Sequence, residues 1–322
     1  MLFERTVAPS IFGDTSPEDR PTLTLVLGQP GSGPGRTARG LLAEPPATAI
    51  LSADGLRAFH PYYIELSRSR SDEATQILAE ATAAWLRAGL ACARAGRRSL
   101  LLEGSFQSAQ VASATVELFQ REGYRTHLAV AGVPRAVSLL SETSRFLLAD
   151  LAGRAARFTD RAAHDAALEA NRALVADLED EASVDRLTIV GRSGEWVFDS
   201  RQVDGFAGAS RALAREHVTP LTGSEGMQWL SELRASTDYA LEARRFPAKV
   251  AEMLATLHEI AIADVLPRLP LPEESVARSG AEETLKRRLD ALRAAALAER
   301  TPIDVATPNV TPPTPGPALE IR

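Results

Sequence analysis

The first long apolar run, TLTLVLG from Thr22 to Gly28, shows no polar alternation and is bounded by turn residues, the pattern of a strand buried on both faces. The glycine-rich stretch after it predicts a turn that opens a helix near Thr37. ATAILSAD predicts a second short strand ending at Asp54. From about Asp72 to Ala95, Ile77, Leu78, Ala81, Trp85 and Ala88 recur at helical spacing behind an acidic start, with Cys92 on the same apolar side and Gly96 as the stop. RRSLLLEGS reads as a third buried strand with Glu103 at its C-terminal end. VASATVELFQREG reads as a helix closed by Gly123, and YRTHLAVAGV as a fourth strand running to Val133. Residues 134–180 read as mostly helical, and DRLTIVGRSGEWVFDS as two short strands around the Gly191–Gly194 turn. Strands separated by helices of this length predict an α/β fold: a mostly parallel sheet with right-handed crossovers, flanked by helices.

After Ser200 the pattern is helical alone. Val250, Met253, Leu254, Leu257 and Ile260 form one apolar stripe, and Leu285, Leu289, Leu292 and Ala296 another. Such stripes predict a C-terminal helical region packed on the sheet domain or on a partner chain. TPIDVATPNVTPPTPGPALEIR holds six prolines in 22 residues and too little apolar surface for a core, so it reads as an extended or disordered tail. A solvated tail is the simpler reading of it than a PxxP docking segment. The predicted organisation is an extension over 1–20, an α/β domain over 21–200, a helical region over 201–300 and a Pro-rich tail over 301–322.

Composition narrows the function classes. The 322 residues are 45% hydrophobic and 24% charged, ordinary globular usage. A net charge of −6 argues against a broad nucleic-acid surface and leaves small anionic ligands open. A single cysteine, Cys92, excludes a disulfide framework and predicts a buried thiol in a reducing compartment. No run reaches the roughly 18 uncharged apolar residues of a membrane span. The start MLFERTVAPSIFGDTSPEDRP lacks the basic and apolar parts of a signal, so the cytoplasm is the expected location.

The chemistry concentrates after the first strand, in GQPGSGPGRT. A phosphate-binding loop needs glycines that let backbone N–H groups converge, a lysine for the outer phosphates and a Ser/Thr for Mg²⁺. Gly28, Gly31 and Gly33 stand at suitable places with Ser32 between them, but the lysine position is Pro34. A base and a hydroxyl follow two residues late, as Arg36 and Thr37 after Gly35. One reading is a loop expanded by two residues, with Arg36 gripping phosphate and Thr37 holding Mg²⁺. The other is a strand-to-helix turn with no ligand.

Further motifs follow in order: LSADGLRAFHPYYIEL, LLLEGSFQ, GYRTHLAVAGVPRAVSLLSETSRF and RAARFTDRAAHDAAL. Together with RPTLTLVLGQPGSG they resemble the zeta toxin family of P-loop kinases over roughly residues 20–200. The resemblance implies a P-loop kinase-like fold. It also implies transfer of the γ-phosphoryl of ATP or GTP to the sugar 3′-hydroxyl of UDP-N-acetylglucosamine or a related UDP-sugar. Carried over by position, Asp54 would orient the attacking hydroxyl, while Arg145 and Arg157 would clamp the transferring phosphate. Glu103 and Ser105 would hold the acceptor, with Arg57 and His60 beside them. Gln107 stands where the family commonly has an arginine. A small helical antitoxin is the partner the resemblance implies.

From the residues alone, Asp54 at the end of a strand suits a ligand site at the sheet's carboxyl edge, and it equally suits a helix cap. Arg145 and Arg157 converge only if the chain bends between them, near Gly153. His60 with Pro61 is expected to shape its loop. His164 and Asp165, adjacent on a helix, are expected to point apart and to form no Ser/His/Asp relay. The histidines show no metal-ligand spacing. Two other functions stay open: a phosphotransferase with another small acceptor, and an inactive protein that binds a nucleotide or UDP-sugar.

Overall fold

The computed structural model describes residues 2–41, 48–69, 72–104, 109–154, 156–243 and 247–300. The strands are β1 (Thr22–Leu27), β2 (Ala49–Ser52), β3 (Leu100–Glu103), β4 (Arg125–Gly132), β5 (Arg186–Gly191) and β6 (Trp196–Arg201). They form one sheet in the order β2-β3-β1-β4-β5-β6. Every pairing is parallel except β5 with β6, which the tight turn at Gly194 joins as an antiparallel hairpin. The chain builds β2 and β3 on one side of β1 and the remaining strands on the other. The carboxyl edge beside β1 is therefore where the connections diverge and where such sheets hold ligands.

Helices α1 (Ala8–Phe12), α2 (Pro34–Leu41), α3 (Ala53–Arg57), α4 (Tyr63–Ser69), α5 (Asp72–Ala95) and α6 (Ala109–Arg121) precede β4. After it come α7 (Arg135–Leu151), α8 (Arg161–Asp180), α9 (Ala209–Val218), α10 (Gly223–Ala243), α11 (Ala248–Ile260) and α12 (Val276–Arg300). On α8, Leu174, Val175 and Leu178 follow helical spacing and face the sheet core. That core joins Leu23, Leu25 and Leu27 of β1 to Leu128 and Val130 of β4 and to Phe119 of α6. Val7 and Phe12, in the N-terminal extension, belong to the same core.

A second core joins Leu139, Leu140 and Leu147 of α7 to Trp229 and Leu233 of α10, the Val250–Leu257 stripe of α11 and the Leu285–Leu292 stripe of α12. Both apolar stripes predicted after Ser200 thus pack within this chain, α11 on the helix that follows β4 and α12 on α11. The tail over 301–322 lies outside the described residues.

Several local expectations are corrected. The second strand ends at Ser52, and Asp54 lies in the first turn of α3, because the Ser52 hydroxyl accepts from the Gly55 N–H at 3.1 Å and caps the helix there. Ile77 is exposed, its neighbours Ala74 and Leu78 taking the buried side. Cys92 is only partly buried, packed against the edge of the main core.

Candidate active site

Residues Val26, Glu103 and Ser52 stand side by side across β1, β3 and β2. That register places the end of β1, the Glu103 carboxylate and the start of α3 at one rim. Asp54 projects from this rim with its side chain 88% exposed, 3.5 Å from Arg57 Nη1. An ion pair so open to water contributes little to stability, so Asp54 stands ready for another partner. The His60 ring accepts from the Tyr62 N–H through Nδ1 at 3.2 Å and lies 6.1 Å from Trp85, which gives it the loop-shaping contacts expected of it.

The loop turns on Gly31 and Gly33, both at positive φ, and is closed by Ser32 N–H donating to the Gln29 carbonyl at 3.0 Å. A Cβ on Gly31 would overlap the Ser138 carbonyl oxygen, and one on Gly28 would run into Ser32 Oγ. Glycine is therefore required at Gly31, to let the backbone curl tightly against α7, while Gly28 packs closely on Ser32 and on Ala131 of β4. Such a curl before a helix N-terminus turns N–H groups toward an anion. Ser32 Oγ, buried and without a partner among the described residues, leaves a hydroxyl there to donate.

The loop is not expanded. Helix α2 begins at Pro34, whose fixed φ suits the first helical position, so the turn has ordinary length with proline at the lysine position. Gly35 then stands where the pattern requires Ser or Thr, and a Cβ there would lie 3.0 Å from Glu103 Oε1. Arg36 and Thr37 fall inside the first turn of α2, with Thr37 buried and its N–H 3.5 Å from the Gly33 carbonyl. Neither Gly35 nor the buried Thr37 thus presents the hydroxyl that would ligate Mg²⁺ after the lysine position. Among the described residues no cluster of three or more His, Cys, Asp or Glu is placed to hold a metal ion. The side chain of Arg36, with Ser105 and Gln107, lies outside what the structure describes.

The chain does bend near Gly153, and Arg145 reaches the backbone of Arg157. α7 ends at a turn with Gly153 at positive φ, and the chain doubles back so that Arg145 Nη2 donates to the Arg157 carbonyl at 3.1 Å. Glu142, whose side chain is 3% exposed, holds that guanidinium at 2.7 Å and accepts from the Thr159 N–H at 3.2 Å. A Cβ on Gly31 would also lie 2.9 Å from the Glu142 backbone nitrogen. The loop and the Glu142–Arg145 pair are therefore neighbours across one turn of α7.

The expectation that His164 and Asp165 point apart is overturned. His164 Nδ1 lies 3.1 Å from Asp165 Oδ1, and its Nε2 lies 2.9 Å from Ser138 Oγ. The reason is Arg135 on α7, whose Nε and Nη2 each donate at 2.7 Å to the Asp165 carboxylate and draw it back beside the ring. The arrangement has the order of a nucleophilic relay, but Ser138 and His164 are both fully buried and no substrate reaches the hydroxyl. Burial pushes the His164 imidazole below its ordinary range, against the opposing pull of the Asp165 carboxylate.

Reading the sequence missed Gln29, Arg135, Ser138 and Glu142. Only Glu142 left a local signal, its i,i+3 spacing to Arg145 on a helical stretch. No described helix is long and apolar enough to cross a membrane.

A family model described as Zeta toxin matches residues 10–203. The chain is 25% identical over 154 residues to toxin PezT of Streptococcus pneumoniae serotype 4, a match covering 48% of this chain and 61% of that protein. It is 24% identical over 210 residues to toxin zeta of Enterococcus hirae, covering 64% of this chain and 73% of that one. A solved structure from the PezAT chromosomal toxin-antitoxin system of Streptococcus pneumoniae superposes with a TM-score of 0.59 at 20% identity, covering 75% of this chain and 95% of the other. That likeness shows the same mostly parallel, helix-flanked kinase-like fold. With a family match spanning the sheet from α1 to the 3-10 turn after β6, the chain belongs to the zeta toxin family.

Proposed function

We propose that this protein is a kinase that moves the γ-phosphoryl of ATP or GTP to the sugar 3′-hydroxyl of UDP-N-acetylglucosamine or a related UDP-sugar. The observation that carries the proposal is the seating of Gly31 on the backbone of Glu142, the residue that grips Arg145. A phosphate in the loop then lies beside Arg145 and below the rim that carries Asp54 and Glu103. Phosphoryl transfer is mainly a matter of positioning and charge neutralisation, and this is the layout it needs.

In this reading the acceptor oxygen bonds to the γ-phosphorus, the bond from that phosphorus to the β,γ-bridging oxygen breaks, and the nucleoside diphosphate leaves. Asp54 orients the hydroxyl and takes its proton, and Arg145 and Arg157 neutralise the phosphoryl oxygens. Glu103 and Ser105 hold the acceptor sugar, with Arg57 and His60 beside them. Gly28, Gly31, Ser32, Gly33 and Gly35 form the nucleotide cradle, with Arg36 supplying positive charge. Mg²⁺ would accompany the nucleotide without a ligand from Thr37, which is buried in the first turn of α2. The reaction belongs in the cytoplasm. A small antitoxin is the proposed protein partner, because the superposed structure comes from a toxin-antitoxin system.

Phosphorus NMR of the protein with Mg-ATP and UDP-N-acetylglucosamine tests the proposal. A new phosphomonoester signal that disappears in Asp54→Ala and Arg36→Ala is the expected result. Unchanged spectra at high protein concentration overturn the UDP-sugar reading. A second reading has its own observation: proline at the lysine position and glycine at the hydroxyl position favour a protein that binds nucleotide without turning it over. Calorimetric binding of Mg-ATP with no product under any acceptor would select it.

A further inference from the structure

We propose that His164 is a positioning residue for the phosphate loop, acting through Ser138 on Gln29; this rests on the loop being the nucleotide cradle. Gln29 is fully buried at the start of the loop, and its Nε2 donates to the Val133 carbonyl at 2.8 Å and to Ser138 Oγ at 3.2 Å. The Val133 carbonyl only accepts, so the amide orientation of Gln29 is fixed. At the other end, the Asp165 carboxylate, forked by Arg135, only accepts, so Nδ1 of His164 carries the ring proton. Nε2 is then a bare lone pair, and the Ser138 hydroxyl donates to it at 2.9 Å, closer than the Arg135 and Pro134 carbonyls at 3.2 and 3.4 Å. That leaves a Ser138 lone pair facing the Gln29 amide.

Every bond in the chain therefore has one direction, from Gln29 through Ser138 to His164 and on to Asp165. Its far end is anchored on α8 and its near end on the loop, with α7 between. The Ser138 carbonyl is the same atom that bars a side chain at Gly31, so loop backbone and loop side chain both rest on one turn of α7. A loop that has proline in place of its lysine loses an anchor on the phosphate side. Stiffness supplied from behind keeps its N–H groups aimed before ligand arrives, and a hydrogen-bonded chain in a dry interior supplies it.

The test is amide hydrogen exchange of residues 28–33 and calorimetric binding of Mg-ATP, on the full chain and on Ser138→Ala, His164→Ala, the double variant and His164→Gln. The expected result is loop exchange accelerated about tenfold in each single variant, Mg-ATP binding weakened to a similar degree, and a double variant no worse than either single one. His164→Gln, which can return an acceptor to Ser138, should recover most of both effects, while exchange in β5 stays unchanged. Unchanged loop exchange in the folded variants, or effects that add in the double variant, overturns the proposal. If His164→Ala does not fold, Asp165→Ala at a partly exposed position, which removes the acceptor for Nδ1, carries the same prediction. If the wild-type chain binds no Mg-ATP, the nucleotide reading fails while the exchange of the loop still decides this one.

Discussion

Arg145 donates to the backbone carbonyl of Arg157 at 3.1 Å while its guanidinium grips Glu142 at 2.7 Å. Glu142 in turn accepts from the Thr159 N–H, so one buried carboxylate sets both the arginine on α7 and the path of the segment that returns to α8. Glu142→Ala should therefore lower stability by about 2–3 kcal/mol in urea unfolding, because a charge-assisted bond and a backbone partner are lost together. It should also reduce phosphoryl transfer in the folded protein, since Arg145 is then free to leave the site. Arg145→Ala, which exposes less of the fold to change, should lose transfer with nucleotide binding largely kept.

The two loop glycines should respond differently. Gly31 needs its positive φ and also touches the Ser138 carbonyl, whereas a Cβ on Gly33 at φ 71° meets nothing within 4 Å. Gly33→Ala should cost about 1 kcal/mol, the penalty for a left-handed alanine. Gly31→Ala should cost at least about 2–4 kcal/mol and abolish nucleotide binding, because overlap with backbone adds to the same penalty. Paired urea titrations and calorimetry measure both.

The ordinary length of the loop makes a gain-of-function prediction. With α2 beginning at Pro34, Pro34→Lys places an ammonium at the first helical position, where P-loop proteins keep it. Mg-ATP should bind about tenfold tighter, the effect of one added charge-assisted contact. No gain in calorimetry would mean that the cradle holds its ligand differently.

Acid should destabilise the fold through its buried histidines. Burial, reinforced by the nearby Arg186 guanidinium, pushes His127 down to about 4. Burial, with Arg172 beside it, does the same to His217. Thr188 donates to Asp199 at 2.6 Å and lies 2.8 Å from His127 Nε2, so that nitrogen carries the proton of a neutral ring. An unfolded histidine takes up its proton near pH 6.5 and these folded ones only near 4. Stability is thus full above about 6.5 and falls with pH toward about 4, by up to about 3 kcal/mol for each of the two. Thermal unfolding from pH 8 to 4 should show this slope, and His127→Gln should flatten it.

Much of the sheet was legible because each buried parallel strand is an uninterrupted apolar run, and LTLVL or SLLLE has few other ways to hide. The bend that joins Arg145 to Arg157 was also legible, since Gly153 lies between two amphipathic stretches. The loop was misread because the base and hydroxyl at Arg36 and Thr37 imitate a displaced motif. The start of a helix is decided by backbone angles, and proline at its first position is as good a start as lysine. His164 and Asp165 were misread for a related reason. Helical spacing fixes where a side chain begins, but the Arg135 fork from another helix fixes where the Asp165 carboxylate ends.

The sequence by itself determined the alternation of strands and helices, the family motifs, the two apolar stripes after Ser200 and the positions of the rim carboxylates. All of these follow from hydrophobic period and turn chemistry, which act over a few neighbouring residues. Only the tertiary structure decided that the loop keeps its ordinary length, that Glu142 clamps Arg145, and that Gln29, Ser138, His164 and Asp165 form one directed chain. Those are contacts between elements as much as 136 residues apart in Gln29 and Asp165, and no local pattern records which buried donor will meet which acceptor once the helices close on the sheet.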